Sequence, residues 1–252
     1  MRQHKPANNR LLRKLKRALR ENRLTRSAYM AAAVRYRRSG LMLHAIWHGR
    51  MFSAAHFDNL FARDADPWSY ETDEIGRPRR ALIIEEVSRR APDSLLEIGC
   101  ASGWMTKELS ALAGSITAVD ISSMAIELAR ERCSEKSNID FKCLDILLED
   151  IPKTFEMVIC AGVLVYLPIE EQEAVCQRVI ASLKPGGILI LEHESKSSGI
   201  ELSGDHIHAL YMNQPCLKIL NSIRRDAYEI LVFQRDKPAA MPVVDGVLQG
   251  GD

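Results

Sequence analysis

The chain has 252 residues, 46% of them hydrophobic and 27% charged, which excludes a disordered or fibrous protein and allows one well-buried domain with an appendage. Its six cysteines are too widely spaced for a zinc site and its apolar runs are too short to cross a bilayer, which favours a cytoplasmic protein without a transmembrane segment. The formal net charge of +1 conceals an uneven distribution, because the first 50 residues hold fourteen Lys and Arg against one acid, Glu21.

The first predicted element is a basic helical extension over residues 1–60. Leucines recur near helical spacing from Asn9 to about Leu24 with Lys and Arg between them, and a second helix is predicted over Ser27–Trp47. The basic helix either contacts an anionic membrane or an acidic partner, which would place the chain at the inner face of the membrane, or packs its leucines against its own domain. Aromatic residues are sparse among the basic ones, which argues against nucleic acid as a ligand.

A globular domain is predicted over residues 61–237, followed by a flexible tail over 238–252. After a turn-rich stretch at 62–78, helical and strand-like segments alternate along the chain. The predicted strands are Ser94–Gly99, Ser115–Asp120, Ile139–Asp145, Phe155–Ala161 and Ile188–Glu194, and the predicted helices are Arg79–Arg90, Gly103–Ala113, Ser122–Ser134 and Ile169–Leu183. This alternation predicts a doubly wound α/β domain in which helices cover both faces of a mostly parallel sheet.

Two β-rich runs close the domain. Cys216–Ile223 and Tyr228–Gln234 are separated by the turn-forming stretch Arg224–Ala227, which predicts an antiparallel hairpin near the carboxyl terminus. Together with the five strands before them, these runs predict a seven-stranded sheet.

A glycine-containing turn follows the first predicted strand. In such a sheet, ligands bind outside the carboxyl ends of the strands, where glycine lets the backbone approach closely and a helix N-terminus offers free N–H groups. Such a turn is also common for purely structural reasons. The residues that we predict to line a cofactor site here are Glu97, Gly99, Cys100, Ala101 and Gly103.

The second strand ends in an acid, Asp120, followed by Ile121. A carboxylate at this position can accept hydrogen bonds from both hydroxyl groups of a ribose. The spacing suits NAD and S-adenosylmethionine equally. The first turn, however, lacks the middle glycine of GxGxxG that lets the chain approach a pyrophosphate, and this favours S-adenosylmethionine, which has no pyrophosphate.

Further candidate residues follow the third and fourth strands. Asp145 stands where a side chain can contact an adenine amino group, with Ile146 beside it, although an acid there can also cap a turn. Cys160 lies at the end of the fourth strand, and Leu183–Gly187 leads into the fifth.

Taken in order, these blocks resemble the class I S-adenosylmethionine-dependent methyltransferases over roughly residues 78–235. Within that class, Asp66–Thr72 reads DPWSYET and resembles the nodulation protein S (NodS)-like family, which carries a DPWxYxT segment before the first strand. The resemblance implies a Rossmann-like methyltransferase fold, S-adenosylmethionine as cofactor, and methyl transfer to an N or O atom of a small molecule, above all a sugar, oligosaccharide or glycosylated metabolite. Trp68 and Tyr70 would then close over the cofactor or stack on the acceptor, or else pack in the core.

The chain departs from the family pattern at two places, which leaves the acceptor open. Glu74–Gly76 stands where the family has aromatic residues and an acid, and Gly162 stands where an acid commonly follows the fourth strand. Two alternatives therefore stay open. One is an O-methyltransferase of polysaccharide or secondary-metabolite biosynthesis, and the other is a non-catalytic protein that binds membrane or nucleic acid through its basic arm.

Methyl transfer requires a positioned acceptor and removal of a proton, for which a histidine or a carboxylate is suited. The candidate catalytic residues are His193 and Glu194 at the end of the fifth strand, and His206 and His208 in the helix-like stretch that follows. His208 is preferred because the family has a similarly placed histidine. No Asp pair of the kind that holds magnesium follows the fourth strand, so no metal is predicted.

Overall fold

The structure, a computed structural model, describes residues 52–72, 76–151, 153–194 and 204–237. The helices predicted over 9–24 and 27–47 lie outside the described residues, and so does the tail predicted over 238–252. The membrane or acidic-partner contact predicted for the basic extension therefore concerns residues that the structure does not describe. Among the helices that it does describe, none is both long and apolar enough to span a bilayer.

The described residues form six α-helices and seven strands. The helices are α1 (Ala54–Arg63), α2 (Gly76–Arg90), α3 (Trp104–Leu109), α4 (Ser123–Arg132), α5 (Gln172–Ala181) and α6 (Gly204–Met212). The strands are β1 (Ser94–Ile98), β2 (Ser115–Asp120), β3 (Ile139–Cys143), β4 (Phe155–Ala161), β5 (Leu183–Glu194), β6 (Leu217–Arg224) and β7 (Tyr228–Arg235). Two short 3-10 helices, Leu164–Tyr166 and Ile169–Glu171, join β4 to α5.

The strands form one sheet in the order β3-β2-β1-β4-β5-β7-β6. Strands β1 to β5 pair in parallel, whereas β7 is antiparallel to both β5 and β6. The chain moves outward from β1 to β3 and then returns to β4 beside β1, which places a topological switch point between the carboxyl ends of β1 and β4. The predicted doubly wound, mostly parallel sheet with a carboxyl-terminal hairpin is confirmed.

Helices cover both faces of the sheet because its central strands are apolar on both sides. In β1, the adjacent residues Leu95 and Leu96 are both fully buried and pack into separate cores on opposite faces. The first core includes Val87 of α2 and Ile126 of α4, and the second includes Val179 of α5. The carboxyl ends of β1 to β5 meet at one edge of this layered structure, which is where ligands bind in such folds.

Helix α1 (Ala54–Arg63) is not predicted as a separate element, although its first seven residues fall within the helical extension predicted over residues 1–60. The helix buries Phe57 and Phe61, which are four residues apart and therefore on one face. It packs against α4 within the same compact unit as the sheet, so it spans the boundary predicted between residues 60 and 61. The apolar stripe of α1 is short and borders a turn-rich stretch. Such a pattern is too weak to indicate a helix by itself.

Several predicted elements differ in length from the observed ones, and the structure gives the cause for two of them. Strand β5 begins at Leu183 rather than Ile188, because Leu183 pairs with Phe155 of β4 before the register shifts. Helix α3 ends at Leu109, four residues before the predicted end, because the chain continues in tight turns in which the Leu112 N–H donates to the Leu109 carbonyl at 2.9 Å.

The turn after β1 has a steric requirement that can be tested by comparing two glycines. A Cβ at Gly99 would lie 2.5 Å from Cγ2 of Val163, whereas a Cβ at Gly162 would find only Oε2 of Glu192, at 4.0 Å. Both glycines have positive φ, at 78° and 63°, so alanine costs about 1–2 kcal/mol at either position. We expect Gly99→Ala to lower the free energy of unfolding by at least about 1 kcal/mol more than Gly162→Ala, because overpacking adds to the strain.

Urea denaturation of the two variants measures this difference. Equal losses of stability in Gly99→Ala and Gly162→Ala would show that contact with Val163 is not the reason why position 99 requires glycine.

Candidate active site at the carboxyl edge of the sheet

The turn between β1 and α3 is held to β2 by backbone hydrogen bonds. The N–H groups of Gly99 and Cys100 both donate to the Val119 carbonyl, at 2.8 and 3.1 Å. Gly99, Ala101 and Gly103 have φ values of 78°, 49° and 79°. Alanine at a positive φ is strained, and such strain concentrates at functional sites. The turn therefore has a compact, strained backbone conformation of the kind that is often found in ligand-binding loops.

Asp120 at the end of β2 is fixed by this turn. Its Oδ2 accepts the Ala101 N–H and its Oδ1 accepts the Ser122 N–H, both at 2.9 Å. Burial raises the pKa of Asp120, and the backbone N–H groups of Ser122 and Ala101 oppose that rise. The backbone N–H of Ile121 acts in the same direction, and a carboxylate with about four lone-pair positions keeps acceptor capacity beyond these bonds. Ile121, which follows it, is half-buried and its carbonyl lies 3.5 Å from Sγ of Cys143.

Glu97 in β1 is buried beneath the same turn. Oγ1 of Thr106 in α3 donates to its Oε2 at 2.6 Å. The pKa of Glu97 is raised to about 8, because burial and, to a smaller extent, the nearby charge of Asp120 outweigh the Thr106 hydrogen bond, which lowers it. The carboxyl group therefore takes up a proton readily near neutral pH unless a cation lies beside it.

Asp58 of α1, which the sequence analysis missed, joins α1 to this site. Its Oδ1 accepts the Ser122 hydroxyl at 2.7 Å and the Met124 N–H at 3.2 Å, and Oγ of Ser122 in turn caps α4 by accepting the Ala125 N–H at 3.1 Å. Because Ser122 also binds Asp120 through its backbone, α1 contacts the residue that supports the β2 acid. No local pattern links positions so far apart in sequence.

Trp68 and Tyr70 belong to an aromatic cluster. The ring centroid of Trp68 lies 5.5 Å from that of Phe61, 6.2 Å from that of Tyr70 and 6.4 Å from that of Tyr166, which follows β4. The Arg80 guanidinium stacks 5.3 Å from the Tyr70 ring, and burial raises the pKa of Tyr70. The stretch that contains Trp68 and Tyr70 thus contacts both α1 and the residues after β4.

The ends of β4 and β5 bring a second buried acid to the edge. The Gly162 N–H donates to the Glu192 carbonyl at 2.8 Å, and Nη1 of Arg79 lies 3.4 Å from Oε1 of Glu192 and 3.6 Å from Oε1 of Glu194. Burial raises the pKa of Glu192 to about 7, although Arg79 lowers it. The sequence analysis named the more exposed Glu194 and missed Glu192, although strand alternation places both on one face.

His193 and His208 are in contact. Nδ1 of His193 lies 3.2 Å from Nε2 of His208, and Nδ1 of His208 lies 3.1 Å from Oε2 of Glu229 in β7. Both rings are buried, and burial lowers the pKa of each. The sequence analysis did not name Glu229, whose proximity follows from its pairing with His193 across β5 and β7. His206 lies two residues earlier in α6, about half a helical turn away, and is exposed.

The remaining predicted residues divide between the edge and the core. Oδ1 of Asp145 accepts the Leu147 N–H at 2.9 Å, so this acid caps the turn after β3, and Ile146 is buried in that turn. Cys160 is fully buried in the core on the α5 side, and Cys100 is buried in the turn after β1. The side chain of Cys160 is therefore part of the core, and its backbone pairs with β1 and β5.

A seven-stranded sheet of this order, with a tight glycine turn after β1 and an acid ending β2, defines the class I S-adenosylmethionine-dependent methyltransferase fold. Residues 53–207 match the family model of nodulation protein S (NodS). The match covers more than half of the chain, and the chain belongs to the NodS family. The family predicted from the sequence is confirmed.

Individual relatives agree with this assignment. Nodulation protein S of Bradyrhizobium diazoefficiens is 34% identical over 128 residues, which are 50% of this chain and 61% of that protein. The ubiquinone biosynthesis O-methyltransferase of Xanthomonas euvesicatoria pv. vesicatoria is 29% identical over 140 residues, which are 52% of this chain and 57% of that protein. The chain thus spans less than two thirds of the length of either relative.

A solved structure shares the fold. The crystal structure of the N-methyltransferase NodS from Bradyrhizobium japonicum WM9, in complex with S-adenosyl-L-homocysteine, superimposes with a TM-score of 0.65 at 21% identity. The superposition covers 72% of this chain and 97% of that one. The predicted cofactor agrees with the ligand bound in that structure.

The buried Glu97 makes stability depend on pH in a defined direction. Between its ordinary pKa of 4.5 and its raised pKa of about 8, the folded chain holds a proton that the unfolded chain has released. The stability from this group is complete below pH 4.5 and is lost as pH rises through that window. Glu97→Gln removes this loss. The free energy of unfolding of the variant, taken relative to that of the wild type, should therefore increase by up to about 1.4 kcal/mol for each pH unit within the window.

Chemical denaturation at several pH values measures this slope, with Glu127→Gln on the exposed face of α4 as the control for loss of one carboxylate. A wild type and a Glu97→Gln variant with parallel pH profiles would contradict the raised pKa.

Proposed function

We propose that the chain is an S-adenosylmethionine-dependent methyltransferase that transfers a methyl group to an N or O atom of a small molecule, above all a sugar, oligosaccharide or glycosylated metabolite. The observation that carries the proposal is the position of Asp120, whose carboxylate is held by the Ala101 and Ser122 amides at the carboxyl edge of the sheet. Family membership and the names of the relatives support the reaction type.

The described residues fit the cofactor. The remaining acceptor capacity of the Asp120 carboxylate suits the hydroxyl groups of the ribose, and the strained turn at Ala101 leaves backbone groups beside it. Asp145 and the residues after Asp120 and Asp145 would hold the adenine, and Trp68 and Tyr70 would cover the site. Glu97, held by Thr106, is the acid beneath the turn that would face the positively charged end of the ligand. When bound, S-adenosylmethionine supplies a methyl group activated by its sulfonium.

The acceptor would lie where β4 and β5 end. Gly162 leaves open space beside Oε2 of Glu192, because a Cβ there would meet no other heavy atom within 4 Å. Arg79 orients the carboxylates of both Glu192 and Glu194 at this place. An amine must arrive neutral and a hydroxyl must lose its proton as the new bond forms, so a group that accepts a proton is needed here. The candidates are Glu192, Glu194 and the His193–His208 pair.

Methyl transfer to nitrogen and to oxygen are both supported. The NodS structure is that of an N-methyltransferase, whereas the Xanthomonas relative is an O-methyltransferase. A buried acid with a pKa raised to about 7, such as Glu192, suits an amino group because it can pair with the cation and then accept its proton. We therefore place an amino sugar first and a sugar hydroxyl second.

Replacement of the β2 acid tests the cofactor assignment. Asp120→Asn removes the negative charge and one pair of acceptor sites, so the affinity for S-adenosyl-L-homocysteine should fall at least tenfold, equivalent to about 1.4 kcal/mol. Isothermal titration calorimetry measures this change. Asp140→Asn on exposed β3 is the matched control and should bind as the wild type does. Unchanged affinity of the Asp120→Asn variant would remove the ribose assignment.

Mass spectrometry of acceptors tests the reaction. Incubated with S-adenosylmethionine, the full chain should add one methyl group to the free amino group of a glucosamine oligosaccharide and none to the nitrogen of its N-acetylated counterpart. Fragment spectra separate N-methylation from O-methylation. If simple phenols accept the methyl group and none of the sugars does, the proposed acceptor class is wrong.

A further inference from the structure

Glu192 of β5 and Glu97 of β1 lie on the same face of the sheet. Side chains alternate between the two faces of a strand, and Ile190, two residues before Glu192, packs in the same core as Leu95, two residues before Glu97. That core contains residues of α2. The acid proposed to face the positively charged end of the cofactor and the acid at the end of β5 are therefore directed to one side of the sheet.

The register between β4 and β5 places the Glu192 carboxylate beside Gly162. Glu192 pairs with Ala161, and its carbonyl accepts the Gly162 N–H at 2.8 Å. A Cβ at Gly162 would lie 4.0 Å from Oε2 of Glu192 and, apart from its neighbours in the chain, within 4 Å of no other atom of the described residues. Gly162 itself is half-buried, so solvent reaches it.

The two oxygens of the Glu192 carboxylate have different surroundings. Nη1 of Arg79 donates to Oε1 of Glu192 at 3.4 Å and also lies 3.6 Å from Oε1 of Glu194. Oε2 of Glu192 accepts no hydrogen bond within the described part of the chain, and it is the oxygen that borders the space at Gly162. Glu192 is only 2% exposed, and an acceptor on so buried a side chain is normally completed by a water or by a bound donor.

Three titratable groups face Glu192 from the elements around it. Arg79 of α2 and Glu194 of β5 act on it directly, and its pKa is raised to about 7 because burial and the charge of Glu194 outweigh Arg79, which lowers it. The third is Tyr70, whose pKa is raised by burial above all, lowered by Arg79, and raised further by the charges of Glu192 and Glu97. Tyr70 is thus within electrostatic range of both buried acids. The residues paired with Glu192 on β4 and β7 are uncharged, Ala161 and Ile230.

We propose that Oε2 of Glu192 binds the acceptor amino group as an ammonium ion in the space beside Gly162 and then receives its proton, and that Arg79 is a positioning residue that holds the other carboxylate oxygen. This inference rests on the proposed methyltransferase function. One N–H bond of the ammonium breaks, its electron pair stays on nitrogen as the lone pair that bonds the methyl group, and the proton forms an O–H bond on Oε2. A carboxylate takes a proton from an ammonium far more readily than from a sugar hydroxyl, so this site selects amines.

The first test reads the carboxylate without turnover. Carbon-13 NMR of the full chain, labelled at the glutamate carboxyl and saturated with S-adenosyl-L-homocysteine, follows the titration of Glu192, whose signal is identified by its absence in Glu192→Gln. A glucosamine oligosaccharide should move that titration to lower pH by about one unit, because an adjacent cation favours the ionised form. The N-acetylated oligosaccharide, which has no ammonium, should leave it unchanged. A Glu192 titration that the glucosamine oligosaccharide does not move overturns the proposal.

The second test reads the reaction with the same glucosamine oligosaccharide. Glu192→Gln keeps the size of the side chain and an oxygen for Arg79 but cannot take up the proton. The value of kcat/KM should therefore fall at least about 100-fold, while the affinity for S-adenosyl-L-homocysteine is unchanged. Glu127→Gln on the exposed face of α4 is the control for loss of one carboxylate. A larger loss in Glu194→Gln than in Glu192→Gln overturns the assignment.

The pH profile tests the role of Arg79. Because Glu192 must be ionised to accept a proton, kcat/KM should fall as pH falls through its pKa. Arg79→Gln removes the charge that lowers this pKa, so the acidic limb of the profile should move to higher pH by about one unit, and Arg79→Lys should return it toward the wild-type position. Arg77→Gln, at an exposed position of α2, is the matched control. An acidic limb at the same pH in the wild type and in Arg79→Gln shows that Arg79 does not act through Glu192.

The outcomes separate this inference from the proposed function. Methylation of the amino sugar that is undiminished in Glu192→Gln supports the function and overturns the inference. Methylation of sugar hydroxyls but not of amino groups also overturns the inference and leaves the methyltransferase function standing. A wild type that binds the cofactor and methylates no sugar refutes the proposed acceptor class, and the NMR titration then decides whether Glu192 binds the ammonium.

Discussion

The hydrogen bond between the Ala101 amide and the Asp120 carboxylate, 2.9 Å long, is the contact on which the carboxyl edge of the sheet depends. It continues the β1–β2 ladder, because Gly99 and Cys100 already donate to the Val119 carbonyl. The positive φ of Ala101 turns its amide toward the acid, at a cost of about 1–2 kcal/mol for a residue other than glycine. The surrounding hydrogen bonds hold the strained turn in place, and the acid is fixed before any ligand arrives.

Three acids lie at this edge, of which Glu97 and Glu192 are buried and Asp120 is half-buried. Burial is the main cause of the raised pKa of Glu97, Asp120 and Glu192, and Arg79 compensates only the last of these. A cation bound at the edge would lower all three pKa values, because an opposite charge nearby favours the ionised form. The electrostatics therefore favour a positively charged ligand, which agrees with the sulfonium cofactor and with an amino group as acceptor in the function that we propose.

The two faces of the sheet contribute different parts to the proposed site. On the side of α2 and α4, Asp58 of α1 accepts the hydroxyl of Ser122, whose backbone N–H binds the β2 acid. On the side of α6, the hydrogen-bonded residues Glu229, His208 and His193 reach the end of β5. The parallel strands between the two faces keep these parts in register, because β4 pairs with both β1 and β5.

The sequence by itself determined the α/β alternation, the seven strands and the acids that end or flank them, because apolar runs and the glycines beside them are local signals. Glu97, Asp120 and Glu194 could be named in this way. The contacts of Asp58 with Ser122 and of His208 with Glu229 join residues 64 and 21 positions apart, and no periodicity within a short window encodes them. The burial of Glu192 and the contact of His193 with His208 likewise depend on which helices pack over the two faces of β5. Only the tertiary structure decided these features, because burial and long-range pairing set both the protonation states and the partners of polar side chains.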